Sequence, residues 1–271
     1  EIGFPPLERG AATWEALDPR WADAALPERS PRTHKNAAGA VAVIAGSEGM
    51  AGAAILAARA ALRAGAGYVR VASVASNRKA VQCALPEAVW VAREDPEALE
   101  AALRASAAVV AGPGMGLGAE AEAALRRVVA SDRPVVLDAD ALTLVAQGRV
   151  ELPREAPTIV TPHPGEAARL LGGETAAIEA DRLAALERLR ERTDAVVLLK
   201  GSPSLVAGAR RRLDPTGSSD LATAGVGDVL AGTIGALVAR GVEAEDAAAL
   251  GLWLTSSAAR IADRGPGLQS A

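Results

Sequence analysis

Thr223-Ala224-Gly225-Val226-Gly227-Asp228 puts an acid at the end of a glycine-rich turn, directly before an apolar stretch of helical period, Val229 to Val238. Backbone N–H groups at a helix start lack partners and carry the positive end of the dipole, so such a turn receives anions. Glycines let a phosphate come close to the backbone, because no Cβ intervenes. A carboxylate at that point would repel a bound phosphate. Asp228 therefore suits a base that takes the proton from a hydroxyl as it attacks phosphorus. The plainer reading makes Asp228 a helix-capping acid after a glycine turn. The turn alone leaves both readings open.

Other scarce polar residues also fall in site-like segments. Lysine occurs only at 35, 79 and 200, and histidine only at 34 and 163. Lys200 closes an apolar run and precedes Gly201, where an ammonium needs a phosphate or a carboxylate as partner. His163 lies between two prolines, with Pro164 suited to the first position of a helix; there it can donate to a phosphate or a ring substituent. Asp138 and Asp140 offer hard oxygens to Mg²⁺, or else end a strand and cap a helix. Two glycine turns, Gly46 to Gly52 and Gly112 to Gly116, match neither the phosphate-binding G-x-x-x-x-G-K-[ST] loop nor the dinucleotide G-x-G-x-x-G pattern.

The elements that must position these residues alternate. Short apolar runs at 41–45, 68–72, 88–91, 108–111, 134–137, 158–160 and 195–199 read as strands. Helical patterns at 55–62, 96–105, 119–130, 140–147, 164–171 and 176–192 separate most of them. A hairpin at 204–208 and 210–213 and two helices, 227–240 and 244–263, follow. This is an α/β pattern with a mainly parallel sheet covered by helices on both faces. Ligands of such sheets bind beyond the carboxyl ends of the strands. Five polar or glycine-rich turns, starting at Gly46, Gly112, Asp138, Thr161 and Lys200, are expected to converge there on one cleft. Residues 1–33, rich in Pro and charge with Trp14 and Trp21 as isolated apolar anchors, read as an arm or linker before one domain at 34–271.

Composition narrows the function. The 271 residues are 50% hydrophobic and 23% charged with a net charge of −4 and 2% aromatic residues. That balance disfavours a nucleic-acid surface, which wants basic patches and stacking rings. No apolar run is long enough for a membrane helix, and Glu1-Ile2-Gly3-Phe4-Pro5-Pro6 lacks a signal-peptide pattern, so a cytoplasmic protein is expected. The single Cys83 forms no disulfide within the chain and reads as a small buried hydrophobe.

Together the segments resemble the ADP- or ATP-dependent NAD(P)H-hydrate dehydratases of the ribokinase-like superfamily. The resemblance rests on His34-Lys35-Asn36-Ala37-Ala38-Gly39, Gly46 to Ala53, Ala58 to Gly67, Gly112-Pro113-Gly114-Met115-Gly116, Val136 to Leu142, Thr161 to Glu166, Leu199-Lys200-Gly201 and Ala222 to Leu230. It implies a ribokinase-like fold and a lyase that returns the S form of hydrated NADH or NADPH to NAD(P)H. The ring hydroxyl is phosphorylated and phosphate is then eliminated, with Mg²⁺ assisting. It also implies that Asp228 is the base and that the amides of Gly225, Val226 and Gly227 stabilise the moving phosphoryl group. By the same resemblance Lys200, Gly201, Ser202, Pro203, Ser204 and Gly227 hold the nucleotide. Ala53, Gly114, Gly116 and His163 hold the hydrate beside Asp228. ADP is the donor that bacterial members generally use, and a homotetramer is the expected assembly. The opening residues are similar to the segment that joins an epimerase domain to the dehydratase in two-domain relatives.

Met50-Ala51, Val226, Ser202-Pro203-Ser204 and Gly217-Ser218-Ser219-Asp220-Leu221 depart from the family's usual residues, and Asp220 adds a negative charge near the anion site. Two alternatives remain at this level. One is a ribokinase-like small-molecule kinase that stops at phosphorylation. The other is a nucleotide-binding protein without turnover.

Overall fold

The computed structural model describes residues 14–27, 39–216 and 223–262. In chain order the elements are β1 (Trp14–Ala16), α1 (Pro19–Ala25), β2 (Ala40–Ile44), α2 (Ala51–Arg63), β3 (Tyr68–Ser73), a short 3₁₀ turn (Ala75–Asn77), α3 (Arg78–Ala84), β4 (Val89–Ala92), α4 (Pro96–Arg104), β5 (Ala108–Ala111), α5 (Ala119–Ala130), β6 (Val135–Leu137), α6 (Asp140–Ala146), β7 (Thr158–Val160), α7 (Pro164–Leu171), α8 (Thr175–Ala180), α9 (Arg182–Thr193), β8 (Val196–Leu199), β9 (Ser204–Ala207), β10 (Arg211–Asp214), α10 (Val226–Ala239) and α11 (Ala244–Ala262).

The ten strands form one sheet in the order β1-β10-β9-β8-β7-β6-β5-β2-β3-β4. From β8 to β4 every pairing is parallel, while β9 runs against both of its neighbours. The expected α/β sheet is present, and each expected strand lies within a residue or so of its place.

Period-two alternation divides the strands between two cores. Val41 and Val43 face a layer made by α2, α10 and α11, where Ala57, Ile234 and Leu250 are buried. Ala42 and Ile44 face the layer of α4, α5, α6, α7 and α9, with Leu99, Leu125, Leu142 and Leu186 buried. Helix α10 is drawn in closely by its small residues. A Cβ on Gly232 would overlap the carbonyl oxygen of Ala57 in α2, and one on Gly235 would overlap Val110 of β5. This seating carries the N-terminus of α10 to the carboxyl edge of the sheet.

Four features differ from the sequence expectation. Trp14–Ala16 and Pro19–Ala25, inside the stretch read as an arm, add an edge strand and a helix to the fold; β1 pairs in parallel with β10. A helix, α3, lies between β3 and β4. It is short and buries only Val81, so its sequence carries little apolar period. Cys83 is exposed rather than buried, because it stands two residues from Val81 on the outer side of that helix. The helix expected over 176–192 is broken at Asp181 into α8 and α9. His34, Lys35 and the departing segment 217–222 lie outside the described residues.

Candidate active site

The five turns follow β2, β5, β6, β7 and β8, which are five consecutive neighbours in the sheet. Each adjacent pair is tied by hydrogen bonds. Gly46 N–H donates to Pro113 O at 3.0 Å and Ser47 N–H to Gly114 O at 2.5 Å, joining the turns after β2 and β5. Gly116 N–H donates to Asp140 Oδ2 at 2.8 Å, joining β5 to β6. The Thr161 hydroxyl donates to Asp138 Oδ1 at 2.8 Å, and Lys200 N–H to Pro162 O at 2.9 Å, completing the row. The cleft floor is thus one connected network of backbone and side-chain hydrogen bonds.

Its geometry depends on glycine at a few points. Gly112 has a φ of 126°, and a Cβ there would overlap Asp138 O. Gly114 (φ 52°) lies against Ala53 and Met50, so a side chain would have its Cβ 3.0 Å from each of their Cβ atoms. Ala139, between the two aspartates, has φ 48° and ψ −118°, a conformation an L-residue rarely adopts. Strain of that kind costs about 1–3 kcal/mol and concentrates at functional sites.

At the centre Lys200 Nζ sits 2.8 Å from Asp138 Oδ1 and 3.8 Å from Glu166 Oε2. Asp138 is buried, with 2% of its side chain exposed, and Glu166 is nearly as enclosed at 6%. Burial works against the Lys200 ammonium. Asp138, Glu166 and Asp228 outweigh it and hold its pKa above the usual lysine value. Burial also pushes the Glu166 carboxyl up, with Asp138 adding repulsion and Lys200 opposing.

Helix α10 enters this cluster from the other side of the cleft. Gly225 starts it at φ 89° and has no side chain to cap it. A Cβ on Gly227 would stand 3.5 Å from both Asp138 Oδ2 and Lys200 Nζ. One turn of α10 thus brings Gly227 against the Asp138–Lys200 pair and Asp228 beside it. Burial, then repulsion by Asp138, raises the Asp228 pKa from the ordinary 3.8 to about 7; Lys200 opposes and Asp140 adds to the rise. A carboxylate poised near neutrality is matched to proton transfer at that pH.

His163 has a structural task as well. Its Nδ1 accepts from Gly165 N–H at 3.0 Å, while Glu166 Oε2 accepts from His163 N–H at 2.8 Å, a reciprocal cap on α7. Burial first, then Lys200 and Arg169, lowers the imidazole pKa. A neutral ring whose Nδ1 accepts carries its proton on Nε2. The half-exposed Nε2 is then a donor, and its 3.4 Å approach to Glu166 Oε1 is a dipolar contact rather than an ion pair.

Asp138 and Asp140, named from sequence as metal candidates, are both engaged. Asp138 Oδ1 takes Lys200 and Thr161, and Asp140 Oδ2 takes Gly116 N–H. Among the described residues no three His, Cys, Asp or Glu side chains converge as a metal cage. Glu166 and Thr161 belong to the site although their types alone gave them no role. Ser73 and Asn77 also support it: Asn77 Nδ2 donates to Ser47 O at 2.9 Å and to Gly46 O at 3.2 Å, fixing the first turn from beneath. The regular Gly46-to-Gly52 spacing gave no sign of that distant brace.

The arrangement is ribokinase-like. Residues 41–270 match a family model described as NAD(P)H-hydrate dehydratase. The chain belongs to the NAD(P)H-hydrate dehydratase family. It is 39% identical over 249 residues to the ADP-dependent (S)-NAD(P)H-hydrate dehydratase of Neisseria meningitidis, a match covering 89% of this chain and 82% of that one. It is 38% identical over 247 residues to the bifunctional NAD(P)H-hydrate repair enzyme Nnr of Vibrio cholerae, covering 91% of this chain and 49% of the relative. The chain therefore spans about half the length of the bifunctional relatives it matches. Among solved structures, the ADP/ATP-dependent NAD(P)H-hydrate dehydratase of Bacillus subtilis, co-crystallised with ATP and Mg²⁺, superposes with a TM-score of 0.81 at 30% identity, covering 92% of this chain and 91% of that one. Among the described residues no helix is long and apolar enough to cross a membrane.

Proposed function

We propose that the chain dehydrates the S form of hydrated NADH or NADPH, using ADP or ATP as phosphoryl donor. The observation that carries this is the placement of Asp228. It is a carboxyl whose pKa burial raises to about 7, one residue past a glycine that abuts the Lys200 ammonium.

In this reading the hydrate lies over Ala53, Gly114 and Gly116, with His163 Nε2–H donating to it. The nucleotide lies along Lys200, Gly201, Ser202, Pro203 and Ser204, with its terminal phosphate between Lys200 and the amides of Gly225, Val226 and Gly227. Asp228 removes the proton from the ring hydroxyl as its oxygen attacks phosphorus, and the nucleotide leaves shortened by one phosphate. The ring nitrogen then donates its lone pair, the C–O bond breaks towards phosphate, and the adjacent ring carbon loses a proton to restore the double bond. The sum removes water from the ring. Phosphorylation matters because hydroxide leaves poorly and phosphate leaves well.

Mg²⁺ would supply charge neutralisation on the transferring phosphates. It would be held mainly by such phosphates and by water, with Asp138 and Asp140 as the carboxylates that could bind it through water. A cytoplasmic setting and a homotetramer fit this reading, as does an epimerase partner, fused or separate.

The test is recovery of reduced-nicotinamide absorbance from hydrated cofactor in the presence of Mg²⁺ and either nucleotide. A rise that needs one nucleotide and is lost in Asp228→Asn supports the reading and names the donor. A phosphorylated product without recovery of absorbance would instead mark a kinase. Nucleotide binding with no turnover at all would mark a silent binder.

A further inference from the structure

Residues 200–203 join β8 to β9 and lie outside both strands, yet they set the position of Lys200. Ser204 Oγ closes the turn locally, accepting from Gly201 N–H at 3.2 Å and donating to Gly201 O at 2.9 Å, and a second element holds it from outside. Arg182, the first residue of α9, reaches it with a side chain only 12% exposed. Its Nη2 donates to the carbonyl oxygens of Lys200 and Pro203, each at 3.1 Å, and stands 3.5 Å from that of Leu199. Its Nη1 donates to Glu179 Oε2 at 3.0 Å, which steadies the guanidinium from the solvent side. Asp181, capping α9 through Ala184 N–H at 2.9 Å, fixes where the arginine starts.

Gly201 completes the fit. Its φ is 150°, and a Cβ on it would overlap the Arg182 guanidinium, so a side chain at 201 and an arginine so placed exclude each other. The peptide unit is planar and trans, so carbonyls turned towards Arg182 turn the N–H groups of Gly201 and Ser204 away from it, and that of Gly201 donates to Ser204 Oγ at 3.2 Å. The planar, multi-donor fork of arginine serves several carbonyls at once, which a lysine's single nitrogen at the same reach does less well.

We propose that Arg182 is a positioning residue for the nucleotide: by gathering the carbonyls of Lys200 and Pro203 it fixes the turn that aims the Lys200 ammonium at the phosphates of a nucleoside di- or triphosphate. This rests on the reading above that the Lys200–Ser204 turn holds the nucleotide. Arg182 itself touches no reacting atom. Apart from Glu179, the contacts given for it are to the backbone of this turn and the end of β8, so its loss loosens the nucleotide side of the cleft and leaves the turns after β2 and β5 as they are.

The experiment uses the full chain with Arg182→Ala and Arg182→Gln, and Lys200→Met as reference. ADP and ATP binding is measured by calorimetry, and KM is measured separately for nucleotide and hydrate. Loss of charged hydrogen bonds to the turn is expected to raise the nucleotide Kd and KM about tenfold or more. The hydrate KM should stay within about twofold, as for an independent site. Arg182→Gln, which keeps one donor group, should fall between. The proposal is overturned if Arg182→Ala binds nucleotide like the parent while Lys200→Met does not, or if both KM values rise together. A chain that folds with neither substitution also overturns it, in favour of a purely structural arginine. Failure of the underlying reading looks different: the parent binds no nucleotide, or Lys200→Met leaves its affinity unchanged.

Discussion

With Asp228 as the proposed base, its raised pKa leaves a cost in stability. With a folded-state pKa of about 7 against 3.8, the native protein holds more protons than the unfolded chain between those values. Stability contributed by this group is therefore full below about pH 4 and declines as pH rises towards 7. Above pH 7 the ionised, partly buried carboxylate is a net burden. Asp228→Asn should then lose at least about a hundredfold in turnover, as expected on removing a general base. The same variant should be more stable at pH 8, with a ceiling of about 4 kcal/mol set by the size of the shift. Urea unfolding of both proteins at pH 5 and pH 8 checks it, since the gain should shrink at the lower pH. A gain that is the same at both values would mean Asp228 is not raised. Catalysis has the opposite sign. The base works only when ionised, so the rate should fall on the acid side with a midpoint near pH 7, read from a pH profile of kcat/KM for the hydrate. A profile flat down to pH 5 would assign the proton to another group.

At the scale of elements, α10 is built to deliver its first turn, and two glycines separate delivery from chemistry. Gly232→Ala places a Cβ into the carbonyl of Ala57, so α10 must lift off α2; a loss of about 1–3 kcal/mol is expected, seen as a lower Tm. Gly227→Ala meets only ordinary contacts at 3.5 Å from Asp138 and Lys200. It should fold with stability within about 1 kcal/mol of the parent, since alanine favours a helix over glycine. Its nucleotide KM should nonetheless rise, because the methyl stands where a phosphate must approach. Equal Tm losses in the two variants would refute this division. Most elements were legible in the sequence because runs such as Val41-Ala42-Val43-Ile44 and Val196-Val197-Leu198-Leu199 suit strands buried on both faces. The convergence of five turns followed from parallel pairing. Strand β1 was not legible: Trp14-Glu15-Ala16 is three residues long, and its partner Arg211–Leu213 lies 197 positions away. Within the site, Asp138 and Lys200 drew notice by type, but their mutual contact spans 62 positions and no local spacing encodes it. Arg182 was invisible for a related reason. It recognises carbonyl oxygens, which every residue carries.

Across the whole molecule, one buried arginine ties the first described segment to the rest. Arg212 in β10 is 1% exposed, and its guanidinium meets Glu15 of β1 at 3.0 Å, Glu245 at 3.3 Å and Asp246 at 2.8 Å, both of α11. It also stands 5.0 Å from the ring centre of Trp21 in α1, within range of a cation–π contact. Four elements thus meet at one side chain. Arg210 reaches the same two acids of α11 from the surface, with half of its side chain exposed. Removing the buried arginine breaks three contacts at once, taking the partner of Glu15 and leaving Glu245 and Asp246 to Arg210, whereas removing the exposed one leaves them to water and Arg212. Arg212→Met should therefore cost about 3–5 kcal/mol, and Arg210→Met no more than about 1 kcal/mol. Urea unfolding gives both values. Limited proteolysis gives the location, since cleavage within residues 14–27 should accelerate in Arg212→Met before global unfolding does. Because β9 lies between β10 and the nearest strand of the cleft, β8, turnover per folded molecule should stay near that of the parent at low temperature. If Arg212→Met is no less stable than Arg210→Met, then β1 and α1 are held by apolar contacts such as those of Leu17 and Ala22, and the ion cluster is incidental.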